Sequence, residues 1–264
     1  MATKKNIQSA CLIIIGNEIL SGRTQDKNIN HIAKELFLCG VSLQLVIVIP
    51  DSKKIIISQI RKLKTRYDYI ITTGGIGPTH DDITSESISL AVRKKYKLHK
   101  GAFSELKKYY RKVKSELTDA RKKMAYMPEG SKLILNKVSG APGFKIENIY
   151  VFAGIPSIVQ AMMKEFKKMI KIKNKFYSTS ITTKLYESKI AQILVDAEKK
   201  YQFISIGSYP IFDGKPRGVE IVINSQVNKL GVNNAKKFIL KEICLLYTSP
   251  SPRDTIRSRM PSSA

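Results

Sequence analysis

The sequence predicts an α/β fold: an open, mostly parallel sheet with helices on both faces, followed by a small α+β second domain. Three observations carry this. Residues 11–15, 43–49, 69–73 and 150–153 are short, β-branched apolar runs of the kind a strand buried on both faces needs. Amphipathic helical stretches fall among them at residues 30–39, 82–91 and 157–170. Three of the strands close on glycine or acid, at Gly16-Asn17-Glu18, at Pro50-Asp51, and at Gly74-Gly75-Ile76-Gly77 with Asp81 and Asp82 behind it.

The elements follow in order. Lys4 and Lys5 precede the first strand, but the apolar run is too short for a secretory signal and stops at Gly16. Asp26-Lys27-Asn28 leads into the helix at 30–39, and residues 43–49 return as the second strand. After the strand at 69–73, glycines allow a sharp turn at positive φ, and Asp81, Asp82 or Thr84 stands where a cap for the helix at 82–91 is expected. Residues 93–123 interleave Tyr96, Phe103, Tyr109 and Tyr110 with many Lys and Arg, and also hold Glu105, Glu116 and Asp119. They read as one or two solvated helices whose aromatics face the core. Residues 150–153 make the last buried strand, Gly154-Ile155-Pro156 turns the chain, and a helix at 157–170 closes a first domain of residues 1–172.

Residues 173–244 form the second domain: strand 177–185, helix 187–200, strands 204–208 and 219–224, and helix 233–243, a pattern close to a split βαβ unit. Residues 245–264 are rich in Ser, Pro and Arg, have no apolar period and follow a helix without a cap. They resemble translated sequencing-adaptor read-through, so a disordered, non-native tail is expected, with the natural C-terminus missing.

The stretch from Thr72 to Thr84 carries the chemistry. Glycine N–H groups at a strand-to-helix turn form an anion cradle, and a helix start adds further donors. Adjacent carboxylates beside a phosphate would repel it unless a cation such as Mg²⁺ lay between them. The plainer alternative makes the glycines a tight turn and Asp82 a cap. Glu18, Asp51, Asp81 and Asp82 all follow strand ends, where ligands bind in an open α/β sheet, so these acids are expected to converge. His80 lies inside the loop and either bonds a phosphate oxygen, carries a proton or shapes the turn. The loop from Ser139 to Phe144 either lines the pocket, with Gly143 permitting close ligand approach, or is a simple Pro-Gly turn. His31 and His99 are isolated and read as surface or packing residues.

Together, Gly16-Asn17-Glu18-Ile19-Leu20, Asp26-x-Asn28, Pro50-Asp51, the segment from Thr73 to Thr84, Ser139-Gly140-Ala141-Pro142-Gly143-Phe144 and Gly154-Ile155-Pro156-Ser157 resemble the MoaB/Mog molybdopterin-binding fold. More closely, the chain resembles the stand-alone form of the N-terminal region of competence/damage-inducible protein A, and the matching domain of eukaryotic FAD synthase. The likeness continues through Glu187-Ser188-x-Ile190-Ala191 and Ser205-Ile206-Gly207-Ser208-Tyr209-Pro210. Ile158 stands where the family often has Glu, so no role passes to it from that acid.

The resemblance implies metal-dependent hydrolysis of a nucleotide pyrophosphate of the ADP-ribose or FAD class. The alternatives are the adenylyl transfer of molybdenum cofactor biosynthesis and a non-catalytic pterin- or nucleotide-binding module. It further implies Asp51, Asp82 and His80 as catalytic residues and Asp82, Asp81, Asp51 and Glu18 around a divalent metal, Mg²⁺, Mn²⁺ or Co²⁺. Gly74, Gly75, Gly77, Thr79, Thr84, Asn28 and Gly143 are the expected ligand and phosphate contacts, and self-association is expected.

Composition narrows the classes. No apolar run approaches membrane-spanning length. Three cysteines, Cys11, Cys39 and Cys244, lack metal-ligand spacing and suit a reducing cytoplasm. A net charge of +25 and pI of 9.9 invite a nucleic-acid reading. The lysines are dispersed over helix faces, however, so no specific nucleic-acid partner is expected. Gly-x-Ser-x-Gly, His-Glu-x-x-His and a Cys/His pair are absent, which leaves acyl transfer and zinc proteolysis without support.

Overall fold

β1 (Gln8–Ile15) is an interior strand of the main sheet, buried along almost its whole length. Cys11, Ile13 and Ile15 enter one core while Ala10, Leu12 and Ile14 enter the other, the period-two alternation of a strand covered on both sides. The chain continues through the short α1 (Asn17–Leu20), α2 (Asn28–Leu38), β2 (Val41–Ile49), α3 (Lys53–Leu63), β3 (Tyr69–Thr73) and α4 (Thr84–Ala91). Next come β4 (Tyr96–Leu98), α5 (Lys100–Lys112), α6 (Asp119–Lys122) and β5 (Tyr126–Pro128), then β6 (Lys132–Ile134), β7 (Gly143–Ile146), β8 (Ile149–Phe152) and α7 (Pro156–Met169). The computed structural model describes residues 7–171, 176–212, 214–225 and 228–248.

The main sheet runs β2-β1-β3-β8-β7-β6. β1 pairs parallel with β2 and β3, and β3 pairs parallel with β8, whereas β7 runs antiparallel to both β8 and β6. The reversal has a local cause: only Glu147 and Asn148 join β7 to β8, and a link that short permits an antiparallel hairpin but no crossover. Ile56, Ile60 and Leu63 of α3, Ile88 of α4 and Leu106 of α5 cover one face; Ile32 and Leu36 of α2 and Val159, Met162 and Phe166 of α7 cover the other. Ile158 is buried in that second core. Cys11 and Cys39 are buried as small hydrophobes, and burial pushes the Cys11 thiol up to about 11.

Two expectations change here. The helix expected from residue 82 starts at Thr84, and no side chain caps it. The lysine-rich stretch 93–123 contributes β4 as well as helices, and β4 pairs antiparallel with β5. His99 has a specific local task, its Nδ1 accepting from the Ala102 N–H at 3.2 Å to cap α5.

The chain splits into two compact units, Met1–Asn174 and Lys175–Ala264. The second unit comprises β9 (Tyr177–Thr183), α8 (Glu187–Lys200), β10 (Ser205–Phe212), β11 (Pro216–Ser225) and α9 (Lys229–Thr248). β11 lies between β9 and β10 and is antiparallel to both, so β9-α8-β10 is a βαβ crossover split by a third strand. Ile181, Val219, Ile221 and Ile223 pack with Ile190 of α8 and Ile239 of α9 in its own core. A tail beginning at Leu245 is not what the structure shows: α9 continues past Cys244 to Thr248, and the Tyr247 hydroxyl lies 3.2 Å from Thr183 Oγ1. No Gly or Pro interrupts Leu245, Leu246 and Tyr247, so the helix has no local reason to stop there. The rest of the expected tail, 249–264, lies outside the described residues. Among the described residues no helix is long and apolar enough to cross a membrane.

Candidate functional site

The chain leaves β1 and β3 in opposite directions, β2 lying on one side of β1 and β8 on the far side of β3. Such a switch point leaves a crevice beyond the carboxyl ends of the strands. A cleft of about 520 Å³ lies there, lined by Glu18 and Ile19 after β1, residues 74–78 after β3 and residues 153–156 after β8.

The glycines are dictated by close approach. Gly74 has φ +99 and donates its N–H to the Phe152 carbonyl at 3.2 Å; a Cβ would stand 2.1 Å from the Ile15 carbonyl oxygen. Gly75 has φ +66, and a Cβ there would come within 2.2 Å of Thr84 Oγ1. Its carbonyl accepts the Thr84 N–H at 2.9 Å, folding the turn back onto the start of α4. Gly77 backs onto Asp82, whose Oδ2 would lie 2.6 Å from a Cβ.

Among the expected site residues, Gly74, Gly75, Gly77, Glu18, Asp82 and Asn28 line the cleft. The Asn28 amide is engaged, donating to the Gly154 carbonyl at 2.8 Å and tying α2 to the turn after β8. Asp82 Oδ2 accepts from both the Thr79 N–H (2.8 Å) and the Thr79 hydroxyl (2.6 Å), so Thr79 orients the acid instead of lining the cavity. The nearby Thr79 side chain, then the Asp81 backbone amide, hold the exposed Asp81 carboxyl below the ordinary carboxylate value, with His80 and Lys123 adding to the effect.

The remaining acids do not converge as expected. Asp51 accepts the Asn17 N–H at 2.8 Å and acts as a strut between β2 and the turn after β1. Asp81 and His80 are exposed outside the cleft, and His80 borders a separate cavity that shares Asp82. Among the described residues no three His, Cys, Asp or Glu side chains form a metal-ligating group. Gly143 is buried in β7, where a Cβ would stand 2.2 Å from the Val151 carbonyl; sheet packing, not ligand approach, requires glycine there.

Among the described residues, three buried hydroxyls have no hydrogen-bond partner: Thr72 and Thr73 at the end of β3, and Thr84 at the start of α4. They bracket the glycine turn. Orphaned buried polar groups cost roughly 1–3 kcal/mol each and mark places that demand an explanation.

Sequence reasoning missed part of the other wall. Ser139 and Ala141, of the loop expected to border the pocket, line the cleft, but so do Tyr110 of α5, Met124 and Ile155, which were not expected there. Tyr110 comes from the stretch 93–123 read as solvated helix with aromatics facing the core; it does pack against the core, and it also reaches the cleft, while Met124 follows just past that stretch. Lys123 was likewise hidden among lysines, yet its Nζ donates to the Thr79 carbonyl at 2.5 Å and braces the acid loop.

An open α/β sheet with a glycine turn at its switch point, and Glu18 and Asp82 in the crevice there, defines the class of α/β domains whose site lies beyond the carboxyl ends of the strands. Comparison with known proteins gives the family. Residues 11–172 match the model of the probable molybdopterin binding domain, and residues 175–247 match that of the FAD synthase middle domain. The chain belongs to the molybdopterin-binding-domain family, with the MoaB/Mog fold. A protein of Archaeoglobus fulgidus is 34% identical over 201 residues, covering 75% of this chain and 84% of the relative. A CinA-like protein of Citrifermentans bemidjiense is 31% identical over 195 residues, covering 70% of this chain and 47% of the relative. The crystal structure of the protein CinA, of unknown function, from Thermoplasma acidophilum matches with a TM-score of 0.58 at 29% identity, covering 63% of this chain and 99% of that one.

Proposed function

We propose that the chain is a hydrolase that cleaves the phosphoanhydride of a nucleotide pyrophosphate of the ADP-ribose or FAD class. The observation that carries this reading is the glycine turn itself. Gly74, Gly75 and Gly77 line the cleft with backbone alone, and Asp82 and Glu18 line the same cavity. Backbone N–H groups at such a turn bind phosphate. The match of residues 175–247 to an FAD synthase domain supports the FAD end of the substrate class.

The donor set suits a divalent cation carried in on the ligand. Mg²⁺ is commonly held by one or two carboxylates together with substrate phosphates, without an all-protein cage. Glu18 and Asp82 would hold it, and when bound it supplies charge neutralisation at the phosphoanhydride. Thr79 fixes the Asp82 carboxylate, the 74–77 turn positions the phosphates, and apolar side chains around them exclude water from the ligand's ring. Catalysis of this kind rests on positioning and charge stabilisation.

The test is to offer the purified chain ADP-ribose, FAD, NADH and ATP separately with Mg²⁺, Mn²⁺ or Co²⁺ and to identify products by mass. Two mononucleotide or phosphosugar products, together heavier than the substrate by one water, are expected. Tight binding without turnover of any substrate would reduce the protein to a binding module, and an adenylylated acceptor would make it a transferase.

A further inference from the structure

The glycine turn and Asp82 can recognise phosphate, but any phosphorylated metabolite would satisfy them. Discrimination must come from the remaining wall, and there Tyr110 is the one cleft-lining aromatic among the described residues. Its surroundings hold it in place. The Arg121 guanidinium carbon lies 4.5 Å from the centre of its ring. Arg121 is itself fixed by hydrogen bonds to the Ser115 hydroxyl (2.7 Å) and the Glu116 carbonyl. Tyr109 meets Tyr110 edge-on at 87° with centroids 5.4 Å apart. Tyr109 is pressed in turn by Gly140, where a Cβ would stand 2.2 Å from Tyr109 Cβ, and the neighbours of Gly140, Ser139 and Ala141, line the cleft.

From this arrangement we propose that Tyr110 is a specificity-determining residue, the platform on which the ligand's planar heteroaromatic ring stacks; the proposal rests on the phosphorylated-ligand reading above. A ring already braced by a fixed guanidinium and an edge-on neighbour loses little freedom when a base or flavin is laid on it. Base–aromatic stacking also needs no directional hydrogen bond, so the platform accepts adenine, pterin or isoalloxazine and rejects a bare sugar phosphate. Arg121 acts through Tyr110 as a positioning residue.

The experiment compares binding of AMP and of ribose 5-phosphate, measured by calorimetry, to the full chain and to its Tyr110→Leu, Tyr110→Ala and Tyr110→Phe forms. Leu keeps apolar volume in place should Ala perturb folding, which thermal unfolding will show. Tyr110→Leu is expected to weaken AMP about ten-fold and leave ribose 5-phosphate unchanged, while Tyr110→Phe retains wild-type discrimination. Arg121→Gln is expected to narrow the AMP to ribose 5-phosphate ratio without abolishing binding of either. If wild-type protein binds both probes and Tyr110→Leu leaves their ratio unchanged, the platform is wrong and the phosphate reading stands. If the wild-type protein binds neither probe, both are wrong.

Discussion

The two walls of the cleft are built by different means. One is the continuous segment from Gly74 to Asp82, whose shape follows from positive φ at glycines and from the contact of Thr79 with Asp82 three residues away. The other gathers Tyr110, Met124 and Ser139 from separate segments and holds its aromatic residue through Arg121 and Tyr109. The first wall offers backbone donors and carboxylates, suited to phosphate chemistry. The second offers apolar and aromatic surface, suited to telling one phosphorylated ligand from another. On the proposed reading, reaction and selectivity fall to walls that can be altered separately.

The largest expected effect is on the reactive wall. Asp82→Asn removes the charge but keeps an oxygen to accept from Thr79, so the fold should survive while turnover falls ~10²-fold or more, the scale of losing a transition-state charge stabiliser. Wild-type rates in that variant would leave Asp82 a loop brace only. Gly75→Ala should cost roughly 2 kcal/mol of stability, since alanine must adopt a left-handed conformation and displace Thr84 Oγ1. It should also weaken phosphate probes, and thermal unfolding with and without AMP will show whether both losses occur. Lys123→Met releases the Thr79 carbonyl and should lower turnover ~5-fold, about 1 kcal/mol, with the melting temperature unchanged. An unaltered rate would confine Lys123 to the surface.

The smallest effect concerns the floor that both walls rest on. Burial raises the Cys11 thiol from 9.0 to about 11, so the folded state favours the neutral thiol more than the unfolded state does. That contribution is fully present below 9.0 and is lost as pH rises through about 11. At pH values below this window a thiol reagent should modify only the exposed Cys244 in native protein. Rapid reaction of Cys11 would mean that β1 opens and that the floor is not rigid.

The sequence made the floor and the first wall legible because both are local. An unbroken apolar run such as Tyr69–Thr73 must be buried on both faces, and glycines immediately after it must turn. Position along the chain also placed Glu18 and Asp82 at strand ends. It could not show that Asp51 is spent on the Asn17 N–H, or that Gly143 answers to the Val151 carbonyl, because those partners are set by register and tertiary packing. Tyr110 was invisible for the same reason: within a lysine-rich helix its spacing fits a core-facing aromatic equally well. The short β6 and β7 carry too few residues for a period, and the helix end at Thr248 was obscured by a compositional change that begins beside it.

The measurement that bears most directly on this division of labour is the steady-state kinetics of Asp82→Asn, Tyr110→Leu and the double variant, on whichever of FAD or ADP-ribose the wild-type protein cleaves. The account predicts that Asp82→Asn lowers kcat with little change in KM, that Tyr110→Leu raises KM with kcat preserved, and that the double variant combines the two within ~0.5 kcal/mol. A Tyr110→Leu variant that loses kcat as Asp82→Asn does, or a double variant no worse than Asp82→Asn alone, would contradict it and show the two walls to be one catalytic unit.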